Sequence, residues 1–298
     1  MRRVGIPTAR FAHVETPEEG LAALDQFQYP VVVKTDGLAA GKGVIIAQDR
    51  RQAEAAVASL GPRLVIEEFL EGEEVSFIVL SDGSNVVSLE PTQDHKAVGD
   101  GDAGPNTGGM GAYCDGRILS SGDAGTILDT VIDPAIHATG FTGFLYAGIM
   151  MTAAGPKVLE FNVRLGDPET QALMHRMDDD FAGTLARAAT GQLNRASLKW
   201  KSDPSVCVVL AAQGYPGNVR TGDLIDINDT PAQVFHAGTK LGPHGLETSG
   251  GRVLGVTASG PDLAAAIANA YAGVDKIHFD GMHYRHDIGS KGLKRWYN

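Results

Sequence analysis

The chain has little cysteine, no surplus of positive charge, no long apolar run and no repeat, and each absence removes a class of protein. Its two cysteines, Cys114 and Cys207, stand far apart and in no C-x-x-C arrangement. Neither a disulfide framework nor a cysteine zinc cluster is expected, and a reducing cytoplasm suits the composition. Lys and Arg number 25 against 36 Asp and Glu, a formal net charge of −11. A nucleic-acid binder normally carries a basic face, so no nucleic-acid partner is expected. A few local cations still suffice for a phosphate-bearing small molecule. The longest nearly apolar stretch, residues 141–151, contains two Gly and is too short to span a bilayer. The N-terminus has no apolar segment of the secretory kind, so no membrane partner is expected. No low-complexity tract, collagen-like period or internal repeat is evident.

What is present is a folded composition, 43% hydrophobic and 20% charged, over a length that suggests roughly two domains. Glycine is in excess: 38 of 298 residues, about 13%, against an ordinary ~7%. The excess falls in particular loops, where a backbone turns sharply or approaches a ligand.

Thr16-Pro17-Glu18-Glu19 reads as a helix start, with a capping Thr, an early Pro and a Glu three residues on. Strands are expected over residues 29–34, 43–47, 63–69, 75–81 and 85–89, with a helix capped by Asp49 between the second and third. Residues 91–112 show no period and read as a long functional or disordered loop. A helix is expected over 124–137 and a hairpin over 144–164. A helix opened by Asp167-Pro168-Glu169 follows. Polar residues 192–204 mark a domain boundary. Beyond it, strands over 206–212, 233–240 and 251–257 alternate with a helix over 261–272.

Four segments could carry chemistry. Gly37-Leu38-Ala39-Ala40-Gly41-Lys42-Gly43 is not a P-loop, because the spacing is one short and a strand follows. It could present backbone N–H groups and Lys42 to phosphates, or be a plain hairpin with an exposed Lys. In Lys157-Val158-Leu159-Glu160-Phe161-Asn162-Val163-Arg164, strand alternation places Glu160, Asn162 and Arg164 on one face and Leu159, Phe161 and Val163 on the other. Carboxylate and amide oxygens suit Mg²⁺, and Arg164 suits a transferring phosphoryl group. A Glu160–Arg164 salt bridge on a half-exposed strand would explain the pattern equally. The acid cluster Glu67-Glu68-Phe69-Leu70-Glu71-Gly72-Glu73-Glu74 fits either an adenine and ribose or a solvated turn. The Gly-rich stretch 99–111 beside Lys96 lacks the ligand order of an EF-hand, and fits a flexible loop closing over a phosphate or acyl phosphate. His278, His283 and His286 read as surface histidines, and Asp178-Asp179-Asp180 as a solvated helix end.

Taken together these segments resemble the ATP-grasp superfamily, and within it the glycinamide ribonucleotide synthetases, or phosphoribosylamine–glycine ligases. The resemblance rests on Val33-Lys34-Thr35-Asp36-Gly37 through Gly43-Val44, Ile66-Glu67-Glu68-Phe69 and Gln93-Asp94-His95-Lys96. It rests further on Pro105-Asn106-Thr107-Gly108-Gly109-Met110-Gly111, Glu160-Phe161-Asn162-Val163-Arg164 and Gly166-Asp167-Pro168-Glu169-Thr170. Gly214-Tyr215-Pro216-Gly217 and Gly250-Gly251-Arg252-Val253-Leu254 extend it through the tail.

The resemblance implies an α+β protein: an ATP-grasp domain of two lobes over residues 1–196, with a mobile lobe at about 29–90, then a small β-rich domain over 203–298. It implies ATP and Mg²⁺ or Mn²⁺ as cofactors, and glycine and 5-phosphoribosylamine as substrates joined through glycyl phosphate. Lys34, Gly41, Lys42, Gly43, Glu67, Glu68, Phe69 and Glu74 would bind the nucleotide. Glu160 and Asn162 would hold the metal, and Arg164 and Lys96 would be catalytic. Asn106, Thr107, Gly108, Gly109 and Asp167 would meet the substrates. Family chains begin with an α/β domain of roughly 100 residues that ends before the segment resembling residues 2–7. That domain helps form the phosphoribosylamine pocket. The chain without it is expected either to be an active ligase, with a separate polypeptide supplying the domain, or to bind ATP without full activity. The connection between Val57 and Leu64 is also shorter than the family's.

Overall fold

The computed structural model describes residues 1–37, 43–193 and 197–297. Contacts divide the chain into two compact units: Met1–Glu73 with Met150–Leu159, and Glu74–Ile149 with Glu160–Asn298. The strands Thr142–Thr152 and Gly155–Asn162 each contribute residues to both.

The first unit is built on an antiparallel sheet ordered Phe11–Val14, Leu64–Glu68, Val31–Thr35, Val44–Ala47. Side chains alternate across its strands. Val31, Val33, Leu64 and Ile66 face a core and are fully buried, while Lys34 and Glu67 occupy the other face. The core is completed by Leu24, Ala53, Ala56 and Val57, each aliphatic side chain the size of Val or Leu worth roughly 1.5–3 kcal/mol when fully buried. Thr16 caps the helix Pro17–Ala23 by accepting from the Glu19 amide, and Asp49 caps Arg50–Ser59 by accepting from Gln52. Both starts agree with the sequence reading.

In the second unit, strands Thr92–Asp94, Gly111–Cys114, Ser205–Ala211, Arg252–Ser259 and Gln233–His236 lie side by side in that order, next to Glu73–Asp82. Every residue of Ser205–Ala211 is buried. Helices Glu169–Arg176 and Leu263–Val274 pack on this strand, which is why its sequence is a continuous apolar run rather than an alternation. Residues on both sides of the polar stretch 192–204 belong to this one unit.

Several elements differ from expectation. Residues 91–112 are not a structureless loop: they form Thr92–Asp94, Ala97–Gly99, Ala103–Asn106 and Gly111–Cys114. Pieces of three or four residues are too short to show a period, and Gly111–Cys114 is a strand because of partners far away in sequence. The expected helix 124–137 starts at Ser121 and runs to Thr139, with a π turn at Leu128–Ile132. Pro134, which has no N–H to give the preceding turn, follows that π turn directly. Strand 233–240 is two strands, Gln233–His236 and Thr239–Gly242, the second pairing with Gly245–Thr248. Asp180 does not end a helix but starts Phe181–Ala189, accepting from the Gly183 amide. The strand carrying Glu160 stops at Asn162, so the alternation does not reach Val163, which is 69% exposed.

Candidate functional site

The candidate residues fall in both units, and each unit is described by itself. In the first, pairing of Val31–Thr35 with Leu64–Glu68 sets Val32 opposite Glu67 and Lys34 opposite Val65. Lys34 and Glu67 thus share a face as diagonal neighbours. Lys34 Nζ lies 2.6 Å from Glu67 Oε2, and both side chains are mostly buried. The same ammonium donates to the Leu159 carbonyl at 3.2 Å. Glu68 points to the opposite face, where Oε1 accepts from the Arg10 amide at 2.9 Å and from Lys157 Nζ at 3.0 Å. Those bonds, the Arg10 amide first, hold its carboxyl below the usual range. Phe69 is 37% exposed at the end of this strand. Gly43 is buried and its carbonyl accepts from Thr35. Gly41 and Lys42 lie outside the described residues.

In the second unit, Lys96 is ringed by carboxylates. Its ammonium is paired with Glu74 and lies 3.5 Å from Asp94 Oδ1. The Asp94 side chain is only 7% exposed. Burial pushes its carboxyl up to about 7 against the pull of Lys96, with nearby Glu169 and Glu74 adding to the rise. Behind them Ser76 Oγ donates to Glu169 Oε1 at 3.0 Å and lies 2.8 Å from the Tyr146 hydroxyl. Tyr146 donating to Ser76 completes a buried relay from the phenol through the Ser76 hydroxyl to Glu169 Oε1. Glu169 and Asp94 stand in segments that carried the family resemblance, and Tyr146 lies outside them. Their spacing in sequence gave no sign that they would share one buried cluster.

Glu160 and Asn162 sit two apart at the end of their strand, where Asn162 Nδ2 donates to Glu160 Oε1 at 3.3 Å. The alternative of a Glu160–Arg164 salt bridge is not what the structure has. Arg164 donates to the Leu165 carbonyl at 2.9 Å, and among the described residues no cation pairs with Glu160. Its exposed carboxylate and the adjacent amide oxygen fit a hard divalent cation, which takes oxygen donors and fills its shell with water and phosphate. Arg164 Cζ is 6.0 Å from the Tyr146 ring centroid.

The glycine turn after Lys96 is held tightly. Thr107 donates to the Lys96 carbonyl through both its amide and its hydroxyl, each at 2.8 Å. The Gly108 amide donates to the Tyr215 hydroxyl at 3.0 Å, and the Gly109 amide to Thr107 Oγ1 at 2.9 Å. Met110 donates to the His95 carbonyl. Four successive N–H groups are therefore occupied within the unit. The turn is thus internally bonded, where the sequence reads a flexible loop closing over a phosphate or acyl phosphate. Asn106 precedes the turn and is exposed.

Arg252 ties this turn to Asp167. One terminal nitrogen reaches the Gly108 carbonyl at 2.7 Å and the Asp167 carbonyl at 2.6 Å, and the other reaches Asp167 Oδ2 at 3.0 Å. Asp167 does not cap the following helix, whose N-cap is Pro168 with no side-chain bond. Its Oδ1 instead accepts from Gln171. Lys96, Thr107, Gly108, Gly109 and Asp167 are thus brought together, with Arg252 and Tyr215 between them. Both of those lie in segments that matched the family, but sequence reading gave neither a role. His283 and His286 bond Val98 O and Asp100. Among the described residues no group of three or more His, Cys, Asp or Glu is arranged to hold a metal ion.

Comparison with known proteins places the chain in a family. Residues 1–170 match the family described as phosphoribosylglycinamide synthetase, ATP-grasp (A) domain, and residues 205–291 its C domain. The phosphoribosylamine–glycine ligase of Yersinia pestis is 45% identical over 317 aligned residues, covering 99% of this chain and 74% of that protein. The crystal structure of the Thermotoga maritima phosphoribosylamine–glycine ligase superposes with a TM-score of 0.89 at 35% identity, over 97% of this chain and 76% of that one. A biotin carboxylase from Campylobacter jejuni shares the fold alone, with a TM-score of 0.73 at 15% identity over 98% of this chain and 68% of that one. The fold is α+β and ATP-grasp, with a C-terminal domain of the ligase type, and the chain belongs to the phosphoribosylamine–glycine ligase family.

Proposed function

We propose that the chain joins glycine to 5-phosphoribosylamine at the expense of ATP, giving glycinamide ribonucleotide, ADP and phosphate in purine biosynthesis. The observation that carries this reading is identity of 45% spread over 99% of the chain. The balance of the reaction is simple. The glycine carboxylate attacks the γ-phosphorus and ADP leaves, forming glycyl phosphate. The amine nitrogen then attacks the acyl carbon, phosphate leaves, and the nitrogen sheds a proton.

Such chemistry depends on placement and charge neutralisation more than on acid–base catalysis. Lys34, with Glu67 beside it, is the described cation for the polyphosphate, and Lys42 is a second candidate. Glu67 and Phe69 in the first unit and Glu74 in the second are the candidates for adenine and ribose, with Glu68 offering backbone atoms because its side chain turns to the other face. Glu160 and Asn162 would hold a magnesium or manganese ion, which supplies charge neutralisation at phosphate oxygens. Arg164 would meet the transferring phosphoryl. Lys96, fixed among Glu74 and Asp94, would lie on the substrate side with Asn106, Thr107, Gly108, Gly109 and Asp167. In this reading residues 1–196 form the ATP-grasp domain and 203–298 the small C-terminal domain.

The test is product formation by the purified chain. With ATP, glycine and freshly generated phosphoribosylamine, mass spectrometry should detect glycinamide ribonucleotide, and ADP release should require both co-substrates. ADP release indifferent to glycine would sink the reading.

A further inference from the structure

We infer that Arg252 is a positioning residue for the substrate side of the site, setting the turn at residues 107–109 and through it the backbone of Lys96. This rests on the ligase reading only for what the turn is used for; the structural claim stands by itself.

In the sequence this turn belongs to a glycine-rich stretch beside Lys96, and the bonding shows what its glycines do. The amides of Thr107, Gly108, Gly109 and Met110 are all taken by acceptors within the unit. The glycines serve close packing instead. A Cβ built on Gly108 would lie 3.0 Å from Arg252 Cζ, so the guanidinium rests flat against the turn. Gly109 has φ +115, a conformation L side chains rarely adopt, and its Cβ would fall 2.6 Å from Pro168 Cδ. The turn is thus shaped to receive Arg252 and the 167–168 segment.

Arg252 stands at the start of the strand Arg252–Ser259, which pairs with the fully buried Ser205–Ala211. A strand anchored in that core is a rigid mount for the side chain. From it the guanidinium holds three acceptors on two separate segments, Gly108 O, Asp167 O and Asp167 Oδ2. A planar fork is suited to such simultaneous bonds, and a lysine ammonium on a flexible stem is not. Tyr215 holds the other side of the same peptide group, accepting from the Gly108 amide. From Gly108 the chain of bonds continues through Thr107, whose amide and hydroxyl both end on the Lys96 carbonyl. Arg252 therefore acts on Lys96 without touching it.

Two measurements test this. The first needs no ligand: hydrogen exchange of the segment covering residues 106–111 in wild type, Arg252→Gln and Tyr215→Phe. Exchange there should quicken at least about tenfold in Arg252→Gln and less in Tyr215→Phe, while the core strand Ser205–Ala211 keeps its protection. Unchanged exchange at 106–111 in a folded Arg252→Gln would overturn the inference. If Arg252→Gln does not fold, Arg252→Lys is read in its place, and unchanged exchange at 106–111 in it would likewise overturn the inference. The second is kinetic: in Arg252→Gln, kcat for ligation should fall about 10- to 100-fold with KM for ATP changed less than about threefold. Arg252→Lys should recover only a minor part. A rise in the KM for either co-substrate with kcat and loop protection intact would instead make Arg252 a direct ligand contact, and would overturn the positioning role. Absence of ligation by the wild-type chain would count against the proposed function, leaving the exchange result to judge Arg252.

Discussion

Thr107 binds Lys96 twice, its amide and its hydroxyl converging on one carbonyl oxygen at 2.8 Å each. The same hydroxyl oxygen accepts from the Gly109 amide at 2.9 Å. One side chain thus closes the turn on both sides, and it is almost wholly buried.

Replacing Thr107 by Val keeps the volume and removes both hydroxyl bonds, leaving a Gly109 amide with no acceptor. The expected cost is about 1–3 kcal/mol of folding stability, read from urea unfolding, with Thr107→Ser losing much less. Equal losses for Val and Ser would show that the hydroxyl is not what holds the turn.

Asp94 makes stability depend on pH. Its carboxyl is raised from 3.8 to about 7 by burial, so the folded state binds this proton more tightly than the unfolded state does. The stability this provides is full below the unfolded value and is lost as pH rises through about 7. Asp94→Asn removes the titration. Between pH 5 and 8 the unfolding free energy of the variant should gain on wild type, by a few kcal/mol at most. Urea titrations at the two pH values measure it, and a difference that does not change with pH would contradict the assignment.

Arg285 is wholly buried, with Asp287 and Asp102 as ion-pair partners and the Ala97 carbonyl at 3.1 Å. Arg285→Met leaves Asp287 without its cation and Asp102 with Lys291 alone, in a partly buried setting. A loss of about 3–5 kcal/mol is expected, visible as a lowered thermal midpoint. A midpoint within a degree of wild type would refute it.

Glu160 is exposed and makes no ion pair among the described residues, so its removal should cost activity rather than stability. Glu160→Gln and Asn162→Ala should keep the wild-type melting temperature without ligand and lower ADP release by on the order of 100-fold. The variants should also need more divalent cation for half-maximal rate. Loss of folding in place of loss of turnover would remove them from the proposed metal site.

Much of the fold was legible because its causes are local. Thr16 and Asp49 cap helices through amides three residues away. Residues 31–33 and 64–66 are short apolar runs that read as strands, although only the folded sheet decided which of their side chains face the core. Glu160 and Asn162 were legible as a pair because a strand returns every second residue to the same face. Arg164 was not held to that face, because the strand ends first. The short strands between residues 92 and 114 were missed because pieces of three or four residues show no period, whether the partner is near, as for Ala97–Gly99 with Ala103–Asn106, or far, as for Gly111–Cys114 with Ser205–Ala211.

By itself the sequence determined the family, the caps, the core strands and the oxygen pair at Glu160 and Asn162, all readable from neighbours within a few positions. Only the tertiary structure decided that buried Asp94 and Glu169 gather with partly exposed Lys96 and Glu74 in one cluster. It alone decided that the amides of the glycine turn are already bonded, and that Arg252 clamps Gly108 to Asp167. The physical reason is the same in each case. The deciding contacts, Lys96 with Glu74 and Arg252 with Gly108, join residues 22 and 144 positions apart, and a hydrogen bond or a desolvated charge depends on the distance between atoms in space, which no local pattern of residues encodes.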